Sequence, residues 1–117
     1  MIEIKKCGAQ GDVLLRRVDK IPDGFVRTER KPGEAIIVSH SETGHHHAIG
    51  APDVVAWEDK SKPLVCYLQM GDALCDIDHL RSYDTHETLR LTGGKGTIWE
   101  ARRQREHTPE GWRRVQD

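Results

Sequence analysis

The chain has 117 residues, 36% of them hydrophobic and 32% charged, and its formal net charge is −1 at pH 7. This length predicts one β-rich domain spanning residues 1–117, because the chain can bury a real core but is too short for two domains. The near-neutral charge excludes a global field that would draw the protein to nucleic acid or to an anionic membrane.

Targeting signals and cysteine usage both favour a cytoplasmic protein. No apolar run approaches 18 residues, and the first residues do not resemble a signal peptide. The three cysteines, Cys7, Cys66 and Cys75, lack metal-binding or redox spacing and are odd in number. A disulfide framework is therefore not expected, and each cysteine is predicted to be a small core residue.

Short apolar or alternating runs, separated by Gly, Pro and Asp, predict β-strands along the chain. In chain order they cover residues 2–4, 13–18, 35–39, the histidine segment, 54–57, 64–70, 74–77, 85–91 and 97–103. Eight or nine short strands at regular spacing predict an all-β fold. The expected architecture is a single small barrel, roll or sandwich of about eight strands.

Three connections have recognisable turn chemistry. Residues 70–73 place Gly71 first in a two-residue loop, which predicts a type II′ hairpin. The glycine-rich residues 93–96 lack the Ser or Thr and the spacing of a phosphate-binding loop, so they predict a hairpin turn with positive φ. Near the end of the chain, Thr108 followed by Pro109 predicts a short helical turn.

Three consecutive histidines at residues 45–47 are the strongest candidate for a functional site, because imidazole is the commonest transition-metal ligand. On a strand, His45 and His47 would share one face and His46 would lie on the other. His86 is the best third ligand, because it opens an alternating strand. Three imidazoles with an open position would suit zinc, or iron or nickel with added oxygen ligands. A polar turn with solvated imidazoles is the alternative.

Carboxylates near these histidines could complete a metal site or act in catalysis. Asp84 and Glu87 flank His86 and could supply a ligand, orient an imidazole or act as a general base. Glu42 is a further candidate base, and sequence alone does not choose among the three.

The remaining histidines are weaker candidates. His40 could face His47 across a short hairpin, although an edge or loop position is favoured. His79 follows residues 76–78 in what reads as a polar connection, where solvation is the expected state. His107 lies beside the predicted helical turn and is expected to be structural.

The basic end of the chain offers a candidate anion or nucleic-acid contact. On a strand, Arg103 and Arg105 would share a face, and with Arg113, Arg114 and Trp112 this face could hold phosphates and stack a base. Interspersed glutamates reduce the local field, so a salt-bridged surface is the favoured interpretation.

The chain resembles a small group of phage-associated and bacterial proteins of uncharacterised activity. The resemblance runs through residues 10–15, 18–22, 43–49 and 104–115, and similar sequences read Gly-His-x-His at the central segment. It implies that His45 and His47 matter more than His46. Similar sequences also carry a His-x-x-His element, whose second histidine matches His86 while Tyr83 occupies the first position.

Two functional hypotheses follow. In the first, the domain binds a divalent metal, most readily zinc, and acts as a hydrolase or lyase with a cupin-like cavity, in which Arg103 and Arg105 hold an anionic substrate. In the second, it is a non-enzymatic phage or host accessory module whose histidines form a structural cluster. A homo-oligomer and a small anionic or protein partner are compatible with both, nucleic acid is disfavoured, and no membrane partner is expected.

Overall fold

The structure is a computed structural model that describes the backbone of residues 2–10, 13–39, 46–80, 85–103, 105–108 and 111–114. Side chains are described within these ranges except at residues 39, 46, 79–80, 85–87, 105–108 and 111–114.

Thirteen strands make up the regular structure of the described residues, which include no helix. They are β1 (Ile2–Ile4), β2 (Cys7–Gln10), β3 (Val13–Val18), β4 (Val26–Arg27), β5 (Ile36–Ser39), β6 (His46–Ile49), β7 (Val55–Glu58), β8 (Val65–Gln69), β9 (Cys75–Leu80), β10 (Thr85–Leu91), β11 (Ile98–Arg103), β12 (Arg105–Thr108) and β13 (Gly111–Arg114). The all-β prediction is confirmed. The strands outnumber the expected eight or nine because β2, β4 and the last two strands were not anticipated.

Eleven strands form two open sheets. One sheet has the order β1-β10-β9-β6-β5, and the other has the order β2-β3-β11-β8-β7-β4. All neighbours are antiparallel except β1 and β10, which run parallel. Neither sheet closes on itself, so the architecture is a sandwich or roll and not a barrel.

Strand alternation builds one core between the two sheets. In β3, Val13 and Leu15 are buried, whereas Leu14 between them is 43% exposed. Trp99 of β11 and Ile77 of β9 have no exposed surface and belong to the same apolar cluster. Inward side chains of both sheets therefore share one hydrophobic interior, as the period of two along each strand requires.

The two glycine-containing segments that were predicted to be hairpins each lead from one sheet to the other, so the hairpin prediction is wrong for both. Residues 70–74 lead from β8 in the six-stranded sheet to β9 in the five-stranded sheet. Gly71 lies against Asp53, where an added Cβ would clash with the carboxyl group, and Asp53 Oδ2 accepts a hydrogen bond from the Ala73 amide. Residues 93–96 similarly connect β10 to β11. Their three glycines do have positive φ, as predicted.

The predicted helical turn near the end of the chain is wrong. Residues 105–108 and 111–114 are strands, and Thr108 pairs with Gly111. Trp112, which the turn was expected to carry, belongs to β13. Pro109 and Glu110 lie outside the described residues.

The cysteine prediction is confirmed at two positions of three. Cys66 and Cys75 are buried, and burial raises the pKa of each thiol to about 12, so both remain protonated at neutral pH. Cys7 is exposed, because it lies on β2 at an edge of the six-stranded sheet.

A bidentate ion pair is expected to couple β9 and β10 weakly. Arg90 Nε and Nη2 donate to the two carboxylate oxygens of Asp76 at 2.7 and 2.9 Å, and this hydrogen bonding lowers the pKa of Asp76. A double-mutant cycle of Asp76→Ala and Arg90→Ala should give a coupling of about 0.2–1 kcal/mol in urea unfolding. The coupling should fall at high salt and as the pH drops through the lowered pKa of Asp76. A coupling unchanged by either condition would contradict this.

Candidate metal centre

His47 lies in the interior of the sandwich. It belongs to β6, whose neighbours are β5 and β9, and its side chain has no exposed surface. Ala48 and Ile49, the next two residues of the strand, are also buried. A polar turn with a solvated imidazole is therefore the wrong description for this histidine.

Gln10 binds His47 from the opposite sheet. Its carboxamide, 3% exposed, lies at the end of β2, with Oε1 2.8 Å from Nδ1 of His47. The Nε2 atom of the same carboxamide donates to the backbone carbonyl of Ile77 in β9 at 2.9 Å. A carbonyl oxygen can only accept a hydrogen bond, so the amide nitrogen must face Ile77 and the amide oxygen must face His47.

This arrangement selects one form of the imidazole. Because Gln10 presents an acceptor, Nδ1 of His47 carries the hydrogen, and in the neutral ring Nε2 then carries the lone pair. Metal-binding histidines are commonly oriented in this way, with the ring nitrogen that does not bind the metal donating to an oxygen.

The strand register brings two further histidine positions into line with His47. His47 on β6 is directly opposite His79 on β9, and His79 is directly opposite His86 on β10. Directly opposed residues of antiparallel strands belong to the same face of a sheet. We call these three positions the histidine row.

The prediction that His79 lies in a polar connection is wrong, because strand β9 was expected to end at Ile77. The strand continues to Leu80. The alternation Ile77, Asp78, His79 was the available signal, since Ile77 has no exposed surface and a residue two positions later occupies the same face of a strand. Gln10 had no comparable signal, because 37 residues separate it from His47.

The other predicted site residues are located as follows. His45, Asp84 and His40 lie outside the described residues, and the position opposite His47 on β5 is Ser39. Glu87 lies on β10 within a register shift between His86 and Leu89. Among the side chains that the structure describes, no group of three or more His, Cys, Asp or Glu residues is arranged to hold a metal ion.

The proposed anion contact is described at one of its two positions. Arg103 ends β11, is half-buried, and lines a cavity of about 440 Å³ together with Cys66, Lys60 and Lys62. The side chain of Arg105 lies outside the described part of the chain. The role of both arginines in holding an anion stays a prediction.

A second buried polar cluster lies on the outer face of the six-stranded sheet. Glu100, only 6% exposed, accepts hydrogen bonds from Tyr67 Oη at 2.9 Å, Arg16 Nη2 at 3.3 Å and Arg102 Nε at 3.4 Å. Phe25 packs edge-on against the Tyr67 ring, with centroids 4.8 Å apart. The carboxylate is fully engaged by its neighbours, which indicates a structural role.

The fold and the histidine row define a small two-sheet β domain with a buried, oriented histidine between its sheets. The chain belongs to the domain of unknown function family DUF8820, whose family model matches residues 9–104. No curated protein and no solved structure matches it. In the described part of the chain, no helix is long and apolar enough to cross a membrane.

Proposed function

We propose that this domain binds one divalent transition metal ion, zinc in the first instance, through His47, His79 and His86. The observation that supports this most strongly is the register that makes these histidines direct neighbours on β6, β9 and β10. Imidazole nitrogens are preferred zinc ligands, and three from one protein face are a common ligand set. His79 takes the place that sequence reasoning assigned to His45.

The burial of His47 favours a metal that stabilises the fold over one that reacts with a substrate. Its side chain has no exposed surface, and Gln10 connects it to the opposite sheet. A metal here would hold three strands of one sheet in register. Ligand binding to the folded state alone stabilises by about 2.7 kcal/mol when the free ligand is at 100 times its dissociation constant.

Metal content and stability test the proposal directly. Untagged, chelator-treated protein should take up about one zinc ion per chain, and zinc should raise its thermal unfolding temperature. We expect zinc binding to weaken by more than about 100-fold in each of His47→Ala, His79→Ala and His86→Ala. This loss exceeds the roughly 10- to 100-fold that is usual when a residue hydrogen-bonded to a metal ligand is removed. A wild-type chain that takes up no zinc, cobalt or nickel would overturn the proposal.

Two matched histidine variants identify the ligand set. His46 is opposite Leu80, outside the histidine row, so His46→Ala should leave zinc binding unchanged. His45→Ala distinguishes the two possible ligand sets, because His45 belongs to the set predicted from sequence but not to the histidine row. Loss of binding in His45→Ala together with normal binding in His79→Ala would contradict the histidine row.

Cobalt substitution separates a structural from a hydrolytic or lyase centre. Three histidines leave one position of a tetrahedral ion open, so the question is whether an added ligand can reach it. Because His47 has no exposed surface, the visible spectrum of the cobalt protein should not change when azide or thiocyanate is added. A spectral change would instead favour the enzyme hypothesis, with Glu87 and Asp84 as the bases to test next.

A further inference from the structure

We infer that Gln10 is the positioning residue of this centre: its carboxamide holds His47 in the Nδ1–H form and aims Nε2 at the metal. The inference rests on the proposed function and extends it to a named ligating atom and a residue from the opposite sheet. Two contacts carry it, from Nδ1 of His47 to Oε1 of Gln10 at 2.8 Å and from Nε2 of Gln10 to the Ile77 carbonyl at 2.9 Å.

The Ile77 carbonyl is the fixed element of this arrangement. Ile77 is the centre of β9, paired with Ile49 on one side and Leu89 on the other, and its side chain has no exposed surface. An amide with the reversed orientation would place two oxygens against each other at Ile77, and it would present an N–H donor to Nδ1 of His47, which could then pair only by giving up its own hydrogen. Each unpaired buried polar atom costs about 1–3 kcal/mol, so the orientation is strongly selected.

The distance from β6 to the metal also favours Nε2 of His47 as the ligating atom. His47 is at one end of the histidine row and His86 is at the other, with β9 between their strands. Neighbouring strands are about 4.8 Å apart, so a metal bound by all three positions lies near the middle strand, roughly one strand spacing from the line of β6. Nε2 is the nitrogen farther from the backbone, so it is the better placed of the two to span that distance, while Nδ1 is engaged by Gln10.

Gln10 also makes the centre depend on both sheets. Its own strand, β2, is an edge of the six-stranded sheet, whereas all three positions of the histidine row belong to the five-stranded sheet. A shift of one sheet against the other would therefore change the orientation of His47. Metal affinity should respond to Gln10 although this residue supplies no metal ligand.

The tautomer of His47 can be measured without metal, by long-range ¹H–¹⁵N correlation of the imidazoles at a pH where the ring is neutral. The His47 signals are assigned by their loss in His47→Gln. We expect a pyrrole-type shift at Nδ1 and a pyridine-type shift at Nε2, and zinc should then move the Nε2 signal. A pyrrole-type Nε2 in the wild-type, metal-free protein would overturn the inference even if zinc binds elsewhere.

Gln10→Met tests the consequence for the metal. It keeps a side chain of similar length but removes both hydrogen bonds, so zinc affinity should fall about 10–100-fold and the His47 signals should show mixed tautomers. Gln10→Glu keeps an acceptor for Nδ1–H, so the hydrogen should stay on Nδ1, but it places a carboxylate oxygen against the Ile77 carbonyl and should lower stability. Normal zinc affinity and a single wild-type tautomer in Gln10→Met would contradict the assigned role.

Thr92→Val is the matched control for lost stability. Thr92 Oγ1 donates to the Ile4 carbonyl at 2.8 Å, and its removal deletes a similar side chain to backbone bond away from His47. It should lower stability without changing the His47 signals or zinc affinity. If Thr92→Val weakens zinc binding as much as Gln10→Met, the Gln10 effect is only structural.

A wild-type chain with the Nδ1–H form but no zinc uptake overturns the proposed function while confirming the orientation by Gln10.

Discussion

Trp99→Ala is expected to lower the free energy of unfolding by about 3–5 kcal/mol, the usual cost of removing a large aromatic side chain from a core. Trp99 has no exposed surface and belongs to β11, which is hydrogen-bonded to β3 on one side and β8 on the other. Its Nε1 atom donates to the Thr92 carbonyl at 3.2 Å, and this bond is also lost. Domains of this size are stable by about 5–15 kcal/mol, so the variant would be close to unfolding.

Urea titration followed by circular dichroism measures this effect without relying on the deleted fluorophore. Trp99→Phe should lie between the wild type and Trp99→Ala, because it leaves a smaller cavity. Leu14→Ala is the control on the adjacent strand, since Leu14 is 43% exposed and should change stability by no more than about 0.5 kcal/mol. A loss below about 1 kcal/mol in Trp99→Ala would show that the sandwich core does not depend on this residue.

Tyr67→Phe should destabilise the protein by about 1–3 kcal/mol at neutral pH, because it leaves a buried carboxylate without one of its donors. Tyr67 is 5% exposed, and its hydroxyl donates to Glu100 at 2.9 Å. Thr88→Val is the matched control. Its hydroxyl also donates to a carboxylate, that of Asp78 at 2.7 Å, but this pair is exposed and its removal should cost less.

The cost of Tyr67→Phe should depend on pH. Burial by itself would raise the pKa of Glu100, but the hydrogen bonds from Tyr67 and Arg102 and the charges of Arg102 and Arg16 outweigh it, and the pKa is lowered. A carboxylate with a lowered pKa in the folded state contributes its full stability above its ordinary pKa of 4.5 and loses it as the pH falls through the folded-state value. The difference between Tyr67→Phe and wild type should therefore shrink on acidification. A difference that grows at low pH would be the opposite sign and would contradict this assignment.

Individual strands were predictable from sequence because side-chain alternation is a local property. Strands β3 and β10 have the predicted bounds of residues 13–18 and 85–91. Connections were less predictable. The glycine in residues 70–73 and those in residues 93–96 indicate where the chain turns, but the same turn can join two strands of one sheet or lead to the opposite sheet. The choice depends on which apolar faces pack together, and this is decided by residues far away in the chain.

The candidate site, too, was predictable from sequence only in part. The sequence by itself determined that the protein is all-β and that residues 45–47 and His86 are the positions to examine, because alternation and residue chemistry can be read locally. Only the tertiary structure set His79 between His47 and His86 and brought Gln10 to His47 across 37 residues. The physical reason is that strand register and sheet packing arise from contacts between distant segments, and no local pattern specifies these contacts.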